Sequence, residues 1–243
     1  KFIKELSITQ FIVNNIEKNF YKLLRVLRPY APLNTIAITG TNGKTSVVWY
    51  IAQICLYNKV ACKTYGTLGY YINSIKKSNS NLTTPEFEVL QQSAFSSKKN
   101  IYNFIFEASS HSLEQNRIKK FPINIAAITN ITQDHLDYHK NFNSYKNSKY
   151  KLFYDYLDAN GYCILNDNLT DINKIKKKLK DKKIISYGKK NSDVNLFNKG
   201  NKIYLKFFNK EYKTKLTKLS NYDIENISCA IACSHCLNIN IYK

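Results

Sequence analysis

The sequence predicts an α/β fold of the P-loop, Rossmann-like kind, with a mostly parallel sheet and helices on both of its faces. From residue 34 onwards, apolar strand-like segments alternate with helix-like segments, which is typical of such sheets. A glycine-rich loop at residues 39–45 joins the first strand-like segment to the first helix-like one. Near the C-terminal end, short segments of alternating polarity predict a small antiparallel sheet in addition.

The order of the predicted elements follows from these patterns. A helix is predicted at residues 85–95, because proline suits a first helical turn and Thr84 or Thr83 can serve as its N-cap. A polar loop is predicted at residues 73–82. Strands are predicted at residues 35–39, 60–69, 104–107, 123–129, 162–166, 183–186, 201–208 and 212–219, and the last three of these are expected to be antiparallel. The other helices are predicted at residues 45–56, 144–156 and 223–237.

The chain divides into two parts. We interpret residues 1–32, which are amphipathic and helical in tendency, as the tail of a preceding domain or an entry helix. Residues 33–243 form one larger α/β unit. No signal peptide is visible, and no apolar stretch approaches the roughly 18 residues of a membrane span. We therefore expect a cytoplasmic protein without a membrane partner.

The chain is strongly basic. It carries 37 lysine and arginine residues against 17 aspartate and glutamate residues, a formal net charge of +20. This charge suits a nucleic-acid partner, but it equally suits a lysine-rich surface, and no recognition motif accompanies it. We expect no nucleic-acid partner and a surface that attracts an anionic nucleotide.

Six cysteines are scattered along the chain. Cys229, Cys233 and Cys236 recur at i, i+4 and i+7, the spacing of the buried stripe of an amphipathic helix. With His235 they form the one cluster that suggests zinc, although they lack the turn-type spacing of a zinc site. The pattern favours free thiols in a reducing compartment.

The glycine-rich loop is the strongest functional signal. Backbone N–H groups of such a loop, and the positive end of the helix that follows, bind nucleotide phosphates. Lys44 can neutralise phosphate oxygens, and the Thr45 hydroxyl can reach Mg²⁺. The longer general pattern requires glycine where the chain has Ile38, whereas the shorter Gly-x-x-Gly-Lys-Thr fits. We expect ATP or GTP to bind to Gly40, Thr41, Asn42, Gly43, Lys44, Thr45 and Ser46.

Two more polar segments follow strand-like segments. Glu107 ends an apolar strand, and ligands bind at the carboxyl ends of parallel strands. A carboxylate there suits Mg²⁺, although it could simply pair with a lysine. Residues 134–139 contain two histidines and two aspartates, which indicates a metal role for either His135 or His139.

Together these motifs resemble those of the Mur ligase family and of the related folylpolyglutamate synthases. The matching segments occur in the family's order over residues 34–240. Beside the glycine-rich loop they are Thr83-Thr84-Pro85, residues 107–113 with Gln115 and Arg117, Thr129-Asn130, residues 134–139, Tyr145 with Lys149 and Leu152-Phe153, and residues 219–226. They resemble best the branch that adds the third peptide residue to a peptidoglycan precursor.

The resemblance implies an ATP-dependent amide ligase with ATP and Mg²⁺ as cofactors. In such ligases a substrate carboxylate is phosphorylated to an acyl phosphate, which an amino group attacks as phosphate leaves. The implied substrates are UDP-MurNAc-L-Ala-D-Glu and diaminopimelate or lysine, and we expect a monomer. Residues 1–32 would be the tail of the family's N-terminal uridine-binding domain or a linker. Residues 33–243 would be its central ATP-binding domain, without the C-terminal amino-acid-binding domain.

The resemblance also implies roles for individual residues. Lys149 is carbamylated in the family; an ammonium would repel Mg²⁺, whereas a carbamate offers it anionic oxygens. Asn226 is the implied adenine contact. The implied catalytic residues are Lys44, Glu107, His135 and Lys149; the implied metal ligands are Thr45, Glu107, His135 and Lys149; and the implied substrate-binding residues are Thr83, Thr84, Ser109, Gln115 and Arg117.

Two other interpretations stay open. Another ligase of the superfamily, of the folylpolyglutamate synthase type, would share the glycine-rich loop, although residues 83–85 and 134–139 argue against it. A P-loop ATPase module would need only the loop. ADP release measured with and without the muramoyl dipeptide and an amino acid would separate these classes of protein.

Overall fold

The computed structural model describes residues 10, 12–119, 121–135 and 137–241. Predictions that concern residues 1–9, 11 and 120, Leu136 and residues 242–243 lie outside this part. The strands are β1 (Asn34–Thr39), β2 (Cys62–Gly66), β3 (Gly69–Ile72), β4 (Ile75–Ser78), β5 (Asn103–Glu107), β6 (Ile123–Ile128), β7 (Leu157–Asn166), β8 (Lys183–Tyr187), β9 (Val194–Lys199), β10 (Lys202–Phe207) and β11 (Lys210–Lys213). The helices are α1 (Ile16–Leu27), α2 (Lys44–Tyr57), α3 (Phe87–Ala94), α4 (Ser110–Glu114), α5 (Phe142–Lys151), α6 (Ile172–Lys178) and α7 (Asn221–His235), and a π-helical turn (Leu152–Tyr156) follows α5.

These strands form one 11-stranded sheet in the order β11-β10-β9-β8-β7-β6-β1-β5-β2-β3-β4. Its centre, from β2 through β5, β1, β6 and β7 to β8, is parallel. The predicted mostly parallel sheet is therefore confirmed. Because β1, β5 and β6 are parallel neighbours, the loops after all three meet at one edge of the sheet.

Helices cover both faces, as predicted. In β1 the side chains of Ile36 and Ile38 point into one apolar cluster, which contains residues of α2 and α7, whereas Ala37 joins the other cluster. Because successive side chains of a strand point to opposite sides, β1 contributes apolar side chains to the core on both faces of the sheet. Cys229 and Cys233 of α7 are buried in the first cluster, with Cys236 packed against it, as the core interpretation of these cysteines predicts.

The segment after α2 differs from the prediction. The single strand expected at residues 60–69 is a hairpin of β2 and β3, and part of the predicted polar loop forms β4. Asn73 and Ser74, between β3 and β4, both have positive φ, which is the conformation of a tight hairpin turn. The alternation of apolar and polar residues in this edge hairpin is too weak to show in the sequence.

The C-terminal strands also differ in detail. The strand predicted as antiparallel at residues 183–186 is β8, which is parallel to β7 because the α6 crossover connects them. β9 was not predicted, and the strand expected at 212–219 is the shorter β11. The antiparallel strands β9, β10 and β11 are present near the C-terminal end, where they extend the main sheet.

α1 packs beside α3. The Arg25 guanidinium lies 3.2 Å from the centre of the Phe95 ring, and Arg28 Nη1 donates a hydrogen bond to the Gln92 carbonyl at 3.1 Å. Among the described residues, no helix combines the length and the apolar character that crossing a bilayer requires.

Candidate nucleotide and metal site

The glycine-rich loop connects β1 to α2, as predicted. Gly40 and Gly43 have φ values of 142° and 86°, a region of backbone conformation that favours glycine. A Cβ at Gly40 would collide with the Thr129 side chain, and one at Gly43 would collide with the Asn226 side chain. Both glycines are therefore needed for the turn and for close approach, and Asn226 lies directly against the loop.

The end of β6 holds this loop in place. The Thr41 N–H donates to the Asn130 carbonyl at 2.8 Å, and the Asn42 N–H donates to Asn130 Oδ1 at 2.9 Å. Thr129 Oγ1 donates to the Asn42 carbonyl at 2.6 Å. The N–H groups of Lys44, Thr45 and Ser46 in the first turn of α2 have no acceptor within the helix and so form an anion-binding end.

Lys44 is folded over the loop. Its Nζ donates to the carbonyls of Gly40 at 3.0 Å and Thr41 at 2.8 Å. Burial lowers the pKa of Lys44, while the charges of Glu107 and Asp134 oppose that shift. The ammonium group is thus held at the mouth of the loop, where phosphate oxygens could replace the carbonyl oxygens as its acceptors.

Glu107 is a buried carboxylate, 1% exposed. It accepts hydrogen bonds from Thr45 Oγ1 at 3.0 Å, from the Thr67 N–H at 2.7 Å and from Thr67 Oγ1 at 3.2 Å. Burial raises the pKa of Glu107, and these hydrogen bonds oppose the shift. Gly66 allows this approach, since a Cβ there would collide with the carboxylate.

The Thr45 and Glu107 oxygens fit Mg²⁺. In the part of the chain that the structure describes, Glu107 has no ion pair, so a bound cation would compensate its buried charge. Among the described residues, no three or more His, Cys, Asp and Glu side chains are placed together so that they could hold a metal. This arrangement suits Mg²⁺, which typically takes one or two protein oxygens and keeps water and phosphate as its other ligands.

Lys149 is a lysine only 1% exposed. Its Nζ donates to the Gly40 carbonyl at 2.8 Å, so Lys149 and Lys44 share one acceptor. Burial, followed by the charge of Lys44, lowers the pKa of Lys149 to about 6. The amine is then mostly neutral at neutral pH, which is the form that can react with CO₂.

The two histidines of residues 134–139 lie in different surroundings. His135 is partly exposed and faces the cavity that Lys149 lines. His139 is 4% exposed, and its buried Nε2 has no hydrogen-bond partner among the residues that the structure describes. Its ring packs on Tyr145 and His111, with centroids 5.3 and 5.5 Å apart. Of the two, His135 is therefore the one that a ligand in the cavity can reach.

The predicted substrate-binding residues gather around one cavity of about 270 Å³. Gln115 lies beside it, where its Oε1 accepts a hydrogen bond from Arg117 Nε at 2.7 Å. No hydrogen bond or ion pair among the described residues joins Glu107 to His135 or Lys149. The predicted site residues that line the cavity are Lys44, Thr83, Thr84, Ser109, Arg117, His135 and Lys149.

Neither Thr84 nor Thr83 caps α3, so that prediction is wrong. The N-cap of α3 is Glu86, and its side chain makes no capping hydrogen bond. Thr84 Oγ1 instead donates to the Glu107 carbonyl at 2.7 Å and accepts from the Ser109 N–H at 2.9 Å. The Thr84 hydroxyl is therefore engaged in tertiary hydrogen bonds at the end of β5 and is not available to cap α3.

Ser220 and Asp223 hold the start of α7 in place. Ser220 is the N-cap, and its Oγ accepts from the Asp223 N–H at 3.1 Å. Tyr50 Oη donates to Asp223 Oδ1 at 3.1 Å and so connects α2 to α7. These two residues fix the helix that carries Asn226.

Sequence reasoning missed Thr67, Asn130 and Tyr145 as site residues. Thr67 follows β2, and its contact with Glu107 depends on the hairpin that was not predicted. Asn130 lies in a segment that resembles the family, but its hydrogen bonds to the glycine-rich loop depend on the β1–β6 pairing. Tyr145 contacts the same loop through Thr41 Oγ1, 3.0 Å from its hydroxyl. All three contacts are long-range, so no local pattern could have shown them.

The loop, the buried carboxylate and the buried lysine at one edge of a parallel sheet define a P-loop fold with a candidate phosphate site. The sequence model of the Mur ligase middle domain matches residues 38–234, and the chain belongs to this family.

Comparisons with individual proteins agree with the family. A UDP-N-acetylmuramoyl-L-alanyl-D-glutamate--2,6-diaminopimelate ligase of Rickettsia montanensis is 35% identical over 244 residues, 96% of this chain and 51% of the relative. The chain thus spans about half the length of the curated relatives that it matches. A solved structure of a ligase with the same name has a TM-score of 0.76 at 25% identity, over 90% of this chain and 46% of that one.

A more distant structure shares the fold. The MurF ligase of Thermotoga maritima, solved in complex with ADP, has a TM-score of 0.70 at 17% identity. The match covers 100% of this chain and 54% of that one. At this identity the likeness concerns the fold alone.

Proposed function

We propose that the chain is the ATP-binding part of an amide ligase of peptidoglycan precursor synthesis. The ligase would activate the D-Glu carboxylate of UDP-MurNAc-L-Ala-D-Glu as an acyl phosphate for attack by a diamino acid. The observation that carries this proposal is the convergence of Lys44 and Lys149 on the Gly40 carbonyl, beside a buried carboxylate. The name of the Rickettsia montanensis relative supports diaminopimelate as the amino acid.

The domain assignment is part of the same proposal. Residues 33–243 would be the central domain, and residues 1–32 would belong to the tail of an N-terminal uridine-binding domain or a linker. The fact that the chain spans about half the length of its relatives supports this assignment. Substrate binding and ligation would then belong to the full-length protein.

The residues divide the work by their chemistry. Lys44 and the α2 N-terminus would bind and orient the phosphates, and Asn226, beside Gly43, would contact the base. Thr45 and Glu107 would hold one Mg²⁺, and Glu107 and His135, beside carbamylated Lys149, would contribute to a second. These ions would supply positive charge as the two anionic substrates meet. Thr83, Thr84, Ser109, Gln115 and Arg117 would orient the muramoyl dipeptide, with the Arg117 guanidinium suited to one of its anionic groups.

The burial of Lys149 and its neighbours support its proposed carbamylation. A neutral Nζ attacks the carbon of CO₂, a C–N bond forms, and one proton leaves to solvent. The product keeps an N–H that can donate to the Gly40 carbonyl and adds two anionic oxygens near Lys44. The modification thus replaces a neutral amine with a negative charge that attracts the Lys44 ammonium.

The function is tested by ADP release from the full-length protein. We expect release to require both UDP-MurNAc-L-Ala-D-Glu and diaminopimelate. Release without either substrate would instead indicate a simple ATPase. Release that requires a folate and glutamate would indicate a ligase of the folylpolyglutamate synthase type.

Nucleotide binding can be tested on the chain itself. Lys44→Ala removes the ammonium group at the mouth of the loop, and we expect ADP·Mg²⁺ to bind about tenfold more weakly by calorimetry. Lys210→Ala, in the edge strand β11, removes the same charge far from the loop and should leave the affinity unchanged. Equal affinities of the Lys44→Ala variant and the unaltered chain would contradict the assignment of the phosphate site.

A further inference from the structure

Tyr145 is a fully buried tyrosine of α5, 0% exposed. Its two ends contact the two parts of the proposed site. The hydroxyl oxygen lies 3.0 Å from Thr41 Oγ1 in the glycine-rich loop. The ring faces Lys149, whose Nζ lies 4.3 Å from the ring centre.

The hydroxyl end completes a set of hydrogen bonds around Thr41. Thr41 Oγ1 donates to the Thr132 carbonyl at 3.1 Å and accepts from the Thr132 N–H at 3.0 Å. A hydroxyl has one hydrogen and two acceptor positions. Because the Thr41 hydroxyl donates its hydrogen to the Thr132 carbonyl, it can only accept from Tyr145. This hydrogen bond from the Tyr145 hydroxyl connects α5 to the loop.

The ring end positions the lysine. Lys149 follows Tyr145 by four residues on the same helix, which places the two side chains on one face. The ring supports the Lys149 side chain while its Nζ donates to the Gly40 carbonyl at 2.8 Å. On another side the ring packs against His139 and His135, at centroid distances of 5.3 and 6.2 Å. These contacts leave the ring little freedom to rotate.

We propose that Tyr145 is a positioning residue, whose hydroxyl holds the glycine-rich loop through Thr41 while its ring holds Lys149. This inference rests on the proposed function, because Tyr145 acts through the phosphate loop and the lysine. The two ends have separable effects. Loss of the hydroxyl should loosen the nucleotide site alone, whereas loss of the ring should also disturb Lys149.

The first test is Tyr145→Phe, which keeps the ring and removes the hydroxyl. We expect ADP·Mg²⁺ to bind about three- to tenfold more weakly, the worth of one hydrogen bond in a buried site. Tyr150→Phe is the matched control, since Tyr150 lies on the same helix, is 5% exposed and donates to Asp171 Oδ1 at 2.9 Å. Both variants lose one such hydrogen bond and should melt similarly, but only Tyr145→Phe should lose ADP affinity.

A double-mutant cycle isolates the bond itself. In a Thr41→Val background, Tyr145→Phe should cause no further loss of ADP affinity, because its partner hydroxyl is already gone. Full additivity of the two losses would overturn the inference. So would an ADP affinity of Tyr145→Phe equal to that of the unaltered chain.

The ring is tested by Tyr145→Leu. The carbamate carbon of Lys149 is followed by NMR in isotope-labelled bicarbonate, and we expect its signal to be retained in Tyr145→Phe and reduced at least about threefold in Tyr145→Leu. An undiminished signal in Tyr145→Leu would overturn this part. If Tyr145→Leu does not fold, Tyr145→Phe and the double-mutant cycle still test the role of the hydroxyl. Failure of the unaltered chain to bind ADP would instead contradict the proposed function and the inference with it.

Discussion

Lys149→Ala is expected to abolish ligation by the full-length enzyme, with a loss of about a thousandfold or more. The reason is that the proposed carbamate, on a lysine that shares the Gly40 carbonyl with Lys44, would supply anionic oxygens that no alanine can replace. Added bicarbonate should not restore turnover, because the amine that it modifies is gone. Turnover is measured as formation of the tripeptide product.

The matched control is Lys151→Ala in the same helix. Lys151 is partly exposed, and its Nζ forms an ion pair with Glu114 Oε2 at 3.1 Å. Such surface pairs contribute little to stability, so this variant should turn over normally. Near-normal turnover of Lys149→Ala would contradict the role of the lysine.

The same residue predicts a pH dependence. The pKa of Lys149 is lowered to about 6, so a growing fraction of the amine is protonated as the pH falls through this value. A protonated amine does not react with CO₂, and the carbamate signal of the chain should decline on the acidic side. A signal that is constant across this range would contradict the mechanism proposed for carbamylation.

Glu107→Gln is expected to change metal-dependent binding and stability in opposite directions. The amide keeps the shape of the carboxylate but loses its charge, so the gain in ADP affinity that Mg²⁺ provides should fall by about ten- to a hundredfold. The gain is measured by calorimetry with and without Mg²⁺. The same substitution should raise the melting temperature of the nucleotide-free chain.

The sign of the stability effect follows from the raised pKa of Glu107. Because burial disfavours the charged form, the folded protein binds this proton more tightly than the unfolded chain does. Ionisation of Glu107 therefore destabilises the fold at a pH above the raised pKa, and stability is regained as the pH falls towards the ordinary value of 4.5. Glu107→Gln removes this dependence.

The control for Glu107 is Glu88→Gln, at an exposed position in the first turn of α3. It removes the same charge without changing a buried group, so both ADP affinity and melting temperature should stay close to those of the unaltered chain. A Glu107→Gln variant that retains the full effect of Mg²⁺ on ADP binding would contradict the proposed metal site.

Local sequence patterns were enough to predict the central elements of the fold. The apolar run before Gly40 and the helical run after Lys44 are both strong enough to identify β1 and α2. The patterns failed at Thr84, because its hydroxyl donates a hydrogen bond to the Glu107 carbonyl instead of capping the helix. The patterns also failed at residues 60–82. The turn that pairs β3 with β4 is formed by Asn73 and Ser74, and without a glycine it lacks the usual sequence signal of a hairpin.

The sequence by itself determined the family, the phosphate loop and the list of candidate site residues, because these depend on residue types at fixed spacings. Only the tertiary structure decided which of those residues meet. Lys149 is one of many lysines until α5 packs beside Gly40, where burial and Lys44 lower its pKa. Tyr145 acquires a role only through its contacts with Thr41 and that lysine. Burial and long-range contact change the chemistry of a side chain, and neither is encoded in local spacing.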